Sequence, residues 1–222
     1  MRHFLEVDDL SREELADILH RSESRDLGTP LAGKGAALYF EKPSLRTRHS
    51  AEMAVVQLGG HPVTIRREEI GAGAREPLSD IARVLSGYHS LMGARVFVHA
   101  DVVALAVPSA LPIVNLLSDE AHPCQALADL LTMHQEWDDL AGRTVCWVGD
   151  FNNVARSLAI ACGKIGMRFI LSAPANYRFD HAFLETYQTH VRGQLEEIGG
   201  AGPQRWSKCS LRSRMLFSSA PL

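Results

Sequence analysis

Gly35-Ala36-Ala37-Leu38-Tyr39-Phe40-Glu41-Lys42-Pro43-Ser44-Leu45-Arg46-Thr47-Arg48 sets an apolar, strand-like run directly ahead of a helix start. A strand feeding a helix is the repeating unit of a parallel sheet. A helix start carries unpaired backbone N–H groups and the positive end of the macrodipole, so an anion settles there readily. Ser44 and Thr47 add hydroxyl donors, and Arg46 and Arg48 add guanidinium forks that match phosphate oxygens two at a time. This is a phosphate cradle built without the glycine-rich P-loop pattern, which does not occur in the chain. A lone Arg-x-Arg pair otherwise reads as surface salt bridging; the position after a strand is what favours phosphate here.

The neighbouring segments extend the same alternation. Ser11 and Glu14 form a capping box, and Leu10 with Leu15 form a hydrophobic staple at a helix start. Helix is expected over Arg46–Leu58, ended by Gly59-Gly60, and a short strand over Val63–Ile65. A polar loop, Arg66–Glu76, follows, and Pro77 suits a first helical position. The pattern predicts strands at Arg95–His99 and Leu111–Leu117, with a short helix at Val102–Val107 between them. A long helix is expected over His122–Trp137, then strand Thr144–Val148, helix Asn153–Ile165 ended by Gly166, and strand Phe169–Leu171. Strands alternating with helices mean an α/β chain whose parallel sheets are covered on both faces. The expected division is a first domain over 1–137, an incomplete second domain over 138–198 and a divergent tail over 199–222. From Ile198 onward there is no Asp or Glu, Arg205, Lys208, Arg212 and Arg214 add positive charge, and periodicity fails.

Composition narrows the class. A chain of 222 residues with 46% hydrophobic content can bury a full core. A net charge of −3 argues against general affinity for nucleic acid or anionic membrane. Cys124, Cys146, Cys162 and Cys209 show no paired or metal-type spacing and read as reduced thiols of a cytosolic protein. No apolar leader or membrane-length run is present, so a soluble cytoplasmic enzyme is expected.

A second string, His122-Pro123-Cys124-Gln125, joins the cradle in suggesting a site for a small phosphorylated carbonyl compound. At these residues the chain resembles the transcarbamylases, specifically the ornithine carbamoyltransferases. The family's Ser-Thr-Arg-Thr-Arg motif stands as Ser44 to Arg48 behind Glu41-Lys42-Pro43. Gly93 to His99, His122 to Thr132 and Gly149 to Ser157 are similar to three further family segments, in the family's order. The resemblance implies a carbamoyl phosphate site at Ser44, Leu45, Arg46, Thr47, Arg95, His122 and Gln125. Among these, Arg95, His122 and Gln125 would orient the carbamoyl group, with His122 and Gln125 one helical turn apart. It implies ornithine contact at Asn153, although Asn152 or Asn153 can equally be a helix cap. Glu69 lies where the family places another carbamoyl phosphate contact. No metal or organic cofactor is implied. The resemblance also implies carbamoyl phosphate and ornithine as partners, and a homotrimer in which the loop Arg66–Arg75 reaches a neighbouring site.

Two departures from the family stand out. Leu45 replaces Thr, removing one hydroxyl donor, and a hydrogen bond to a charged partner is worth about 1.5–3 kcal/mol. The His-Cys-Leu-Pro and Ser-Met-Gly segments that hold ornithine in the family are absent from the 222 residues. The alternative is therefore an inactive remnant that binds carbamoyl phosphate or phosphate alone.

Overall fold

The computed structural model describes residues 2–24, 26–70 and 76–199 and the backbone of 215–218. Two compact units divide the chain: Met1–Asp9 with Glu23–Cys124, and Leu10–Ser22 with Gln125–Leu222. Each is a parallel sheet with helices against it.

In the first unit, strands β1 (Gly35–Phe40), β2 (His61–Arg66), β3 (Leu91–Arg95) and β4 (Ile113–Leu117) lie in the order β2-β1-β3-β4. Period-2 alternation sends Ala37, Tyr39, Met92, Ala94 and Ile113 into one core with Ile81, Val102 and Leu105. Leu38, Phe40 and Leu116 enter the opposite core with Ala51 and Cys124. Burial on both faces is why β1 reads as a continuous apolar run. The helices are α2 (Leu45–Gln57), α3 (Arg67–Ile70), α4 (Leu78–Ser86) and α5 (His99–Ala106), with α6 (Pro123–Trp137) starting at this unit's end.

The second unit holds α1 (Arg12–Ser22), most of α6, α7 (Asn153–Ile165) and α8 (His181–Thr186). Its strands β5 (Thr144–Val148), β6 (Arg168–Ser172), β7 (Gln194–Ile198) and β8 (Met215–Ser218) take the order β7-β6-β5-β8, all parallel. The Ser11–Glu14 capping box forms as expected: the Ser11 N–H donates to Glu14 at 2.8 Å and the Glu14 N–H to Ser11 Oγ at 3.2 Å. Helix α1 belongs to this unit because Leu15 and Leu19 are buried and the Lys164 ammonium donates to the Leu10 carbonyl at 2.7 Å. The unit boundary thus falls inside α6, at Cys124/Gln125, where the expected division placed it at 137 and kept α1 with the first domain.

Several expectations need correction. The strand expected at Arg95–His99 lies at Leu91–Arg95, and His99 already opens α5. Pairing decides this: Ala36 to Phe40 ladder with Leu91 to Arg95, so Gly93 and Ala94 join the sheet despite weak strand propensity. His122 precedes its helix instead of opening it, because Pro123 takes the first helical position. The Arg66–Glu76 loop contains the short helix α3, and residues 71–75 of it lie outside the described residues. Met215–Ser218, within the tail read as aperiodic, pairs with β5, an apolar stretch too short to show a period. The rest of the tail's expectation concerns residues outside those described. Cys124 and Cys162 are free thiols, but Cys146 is disulfide-bonded. The reading of reduced thiols therefore holds for Cys124 and Cys162 and fails at Cys146, while Cys209 lies outside the described residues. No helix of the described residues is long and apolar enough to cross a membrane.

Candidate functional site

Strand order creates the site. In the first unit β1 has β2 on one side and β3 on the other, so the connections leaving β1 and β3 run in opposite directions. A crevice opens beyond the carboxyl ends of such strands. The segment after β1 carries Glu41 to Ser44, β3 ends on Arg95, and the segment after β4 ends on His122. The β1–β3 register pairs Phe40 with Arg95, which sets the arginine level with the start of the cradle.

Ser44 caps α2 from extended backbone (φ −158°, ψ 112°), its Oγ accepting the Thr47 N–H at 3.3 Å. Arg95 reaches across the sheet and donates from Nη1 to Thr47 Oγ1 at 3.2 Å. Its Nε is buried with no hydrogen-bond partner among the described residues, a donor left over for a ligand. Burial pulls the Arg95 pKa down, but a guanidinium stays charged in a protein. His122 is pushed down to about 4, chiefly by burial and then by the positive charges of Arg95 and Lys42. At neutral pH it is an uncharged imidazole able to donate one hydrogen bond and accept another. Ser44, Thr47 and Arg95 are thus hydrogen-bonded into one cluster of the first unit, and the positive charge of Arg95 acts on His122 in the same unit.

The other named residues stand apart. Leu45 is 76% exposed and contributes only its backbone N–H at the helix start. Arg46 is exposed as well. Arg48 follows the salt-bridge reading, donating from Nε to Glu52 at 2.8 Å; Thr64 holds the same carboxylate oxygen. Gln125 is exposed, its amide donating to Asp129 at 2.8 Å, both residues in the second unit. Asn152 is the cap of α7, its Oδ1 accepting from Val154 at 3.1 Å and Ala155 at 3.2 Å, which leaves Asn153 as the first helical residue. Glu69 accepts the Arg66 N–H at 2.5 Å. Burial raises the Cys124 thiol to about 11, so it stays protonated and is no nucleophile.

Sequence reasoning assigned nothing specific to Glu41. Its carboxylate, 8% exposed, accepts the Phe97 N–H at 2.6 Å and pairs with Arg67 at 3.2 Å. The Glu41 N–H also donates to the Arg95 carbonyl at 2.9 Å, so one residue ties the β1 and β3 termini together. A carboxylate directly after a fully buried strand was the available signal. A cavity of about 730 Å³ adjoins the cradle, with Lys42, Ser44, Leu45, Thr64, Arg66 and Glu69 on its wall; Arg95 and His122 do not line it.

A family model described as "Aspartate/ornithine carbamoyltransferase, carbamoyl-P binding domain" matches residues 2–135. An ornithine carbamoyltransferase of Haloquadratum walsbyi is 42% identical over 186 residues, covering 82% of this chain and 62% of that protein. The Thermus thermophilus counterpart is 46% identical over 172 residues, covering 78% of this chain and 56% of that one. The crystal structure of ornithine carbamoyltransferase from Thermus thermophilus superimposes with a TM-score of 0.83 at 38% identity, covering 98% of this chain and 74% of that one. The Pyrococcus furiosus structure gives 0.83 at 36% identity, over 89% of this chain and 66% of that one. The chain thus spans roughly three fifths of the length of the curated relatives it matches, 62% and 56% in the two cases.

Proposed function

The chain belongs to the aspartate/ornithine carbamoyltransferase family, and on that premise we propose that it binds carbamoyl phosphate and transfers the carbamoyl group to the side-chain amine of ornithine. The products are citrulline and phosphate, in arginine synthesis or breakdown. The observation that carries this reading is the Ser44–Thr47–Arg95 linkage beside a neutral His122.

In this reading the start of α2, with the Ser44 and Thr47 hydroxyls and the Arg46 guanidinium, holds the phosphate. The backbone N–H of Leu45 substitutes for the hydroxyl it lacks. Arg95, His122 and Gln125 donate to the carbamoyl oxygen as it gains negative charge. Losing one donor of this kind typically costs about 10²–10³ in rate. The ornithine amine attacks the carbamoyl carbon, the new C–N bond forms, and the C–O bond to phosphate breaks. Asn153 contacts the amino-acid part of ornithine. Positioning and oriented donors suffice for the chemistry, so no cofactor enters. A cytoplasmic homotrimer, with the Arg66–Arg75 loop reaching a neighbouring site, completes the reading.

A second reading, phosphate binding without turnover, is favoured by one fact: Gln125 is exposed and its amide donates to Asp129 at 2.8 Å. Citrulline formation by the purified protein, measured with carbamoyl phosphate and ornithine, decides between them. Turnover excludes the inert reading. Binding of phosphate without citrulline excludes the transferase.

A further inference from the structure

We propose that the second unit carries an anion site of its own, a cavity in which Arg12, Lys164 and Arg192 hold a small molecule bearing two or more phosphate or carboxylate groups. It is built only from residues of that unit, and all of them except Ser11 and Arg12 lie outside the residues 2–135 that the family model matches.

Three elements meet there. A cavity of about 540 Å³ opens where α1 starts, where α7 ends and where the chain turns into β7, with Arg12, Lys164, His190 and Arg192 on its wall and no acidic residue. Lys164 has a local explanation: a lysine suits the last turn of a helix, and its ammonium donates to the Leu10 carbonyl at 2.7 Å. The two arginines are not spent in this way. Arg12 takes the first position of α1, where the helix dipole favours acids, and its guanidinium leans over Gly166. Arg192 takes a left-handed conformation (φ +54°) that a glycine adopts more easily. Neither guanidinium has a hydrogen bond or ion pair among the described residues. The acids next to Arg12, Glu13 and Glu14, are each bound to Ser11 at 2.8 Å.

A buried hydroxyl points to the same place. Tyr187 is 2% exposed, and its Oη has no hydrogen-bond partner among the described residues. A Cβ added at Gly163 or at Gly193 would collide with that oxygen, so it lies directly behind two glycines of the cavity wall. Burial keeps the phenol protonated, which leaves an unspent donor. Charge sets the sign of the ligand. The carbonyl end of α7 opposes an anion with about half an elementary charge, and three full positive charges outweigh it. Guanidinium forks match phosphate and carboxylate alike. A cavity of about 540 Å³ is several times larger than one phosphate, which selects a ligand with more than one anionic group. The site is also remote from Asn153 in the same unit: α7 has 13 residues, so its two ends lie about 20 Å apart.

Amide NMR spectra of the full chain, titrated with inorganic pyrophosphate and separately with citrate, test this at about 150 mM salt, which screens loose surface attraction. Saturable shifts are expected at Gly163, Gly166 and Gly193, and the tighter of the two probes tells phosphate from carboxylate ligands. Arg12→Gln and Arg192→Gln are each expected to weaken this binding about ten- to a hundredfold at an unchanged unfolding midpoint. Tyr187→Phe, which keeps every charge, is expected to weaken it about two- to tenfold. Shifts confined to the amides of Ser44 to Thr47 would overturn the second site while leaving the cradle intact. Shifts that never saturate, or that survive both arginine substitutions, would overturn it too. Full affinity in Tyr187→Phe would overturn the placement of the ligand against the glycine wall.

Discussion

At the scale of single residues, Ser44 combines two tasks that substitutions can separate. Its hydroxyl caps α2, and in the proposed function the same group contacts phosphate. Ser44→Ala is expected to cost about 1 kcal/mol of stability, as lost caps do, and to weaken phosphate binding. Ser44→Asp restores an acceptor for the Thr47 N–H but puts a negative charge against the anion, so stability should return while binding does not. Denaturant midpoints and calorimetry, measured on both variants, check the split; parallel recovery of binding in Ser44→Asp would remove Ser44 from the phosphate site. His122 supplies a pH signature. Its folded pKa of about 4 is depressed below the ordinary 6.5, with Arg95 and Lys42 the charges facing it. Its neutral form is the one the fold accepts, so its contribution is complete above the unfolded value and drains away as pH falls from about 6.5 towards 4. NMR titration of the imidazole should find it near that value, and saturating phosphate should raise it, because a dianion offsets the two cations. A titration near 6.5 in the free protein would contradict the buried, cation-flanked placement.

Secondary-structure elements carry the next set of consequences. Helix α7 is buried along most of its length and ends at Gly166 in a left-handed conformation (φ +83°), the stop that the sequence suggested. Three residues earlier, Gly163 meets the end of a buried aromatic: a Cβ there would lie 2.2 Å from the Tyr187 hydroxyl oxygen and 2.5 Å from Val191 Cγ1. Gly163→Ala is expected to destabilise by about 1–3 kcal/mol through overpacking. Tyr187→Phe removes a buried hydroxyl that has no hydrogen-bond partner among the described residues, so it should be neutral or stabilising and should ease the Gly163→Ala loss. Urea unfolding of the two single variants and the double variant gives the coupling; strict additivity would mean that the two side chains do not meet. Elements with strong local signals were legible from sequence: β1, α2, β5 and α7 begin or end within a residue or two of expectation. Strand β3 was not, because Leu91-Met92-Gly93-Ala94 gains its strand character from the β1 ladder, whereas Val96-Phe97-Val98 merely has strand-forming side chains.

Across the whole molecule, the cradle residues Ser44, Thr47, Arg95 and His122 all belong to the first unit. A ligand that binds only the folded form stabilises by about 2.7 kcal/mol at a hundred times its dissociation constant. For a chain of this size that corresponds to a midpoint rise of roughly 5–10 °C. Calorimetric melting with phosphate should show this rise, and should the two units melt separately, only one transition should move. A shift in both, or in neither, would contradict a phosphate cradle confined to the first unit. The sequence by itself determined the α/β alternation, the capping box on α1 and the helix start that can hold an anion, because each is written in neighbouring residues that share one turn or one strand. It also carried the family resemblance. Only the tertiary structure decided that Arg95 comes to Thr47, that Glu41 ties two strand ends together, that His122 is held neutral, and that α1 packs with the second unit. The reason is physical: these outcomes depend on sheet order, register and burial, which are set by contacts between residues tens of positions apart and leave no mark in local spacing.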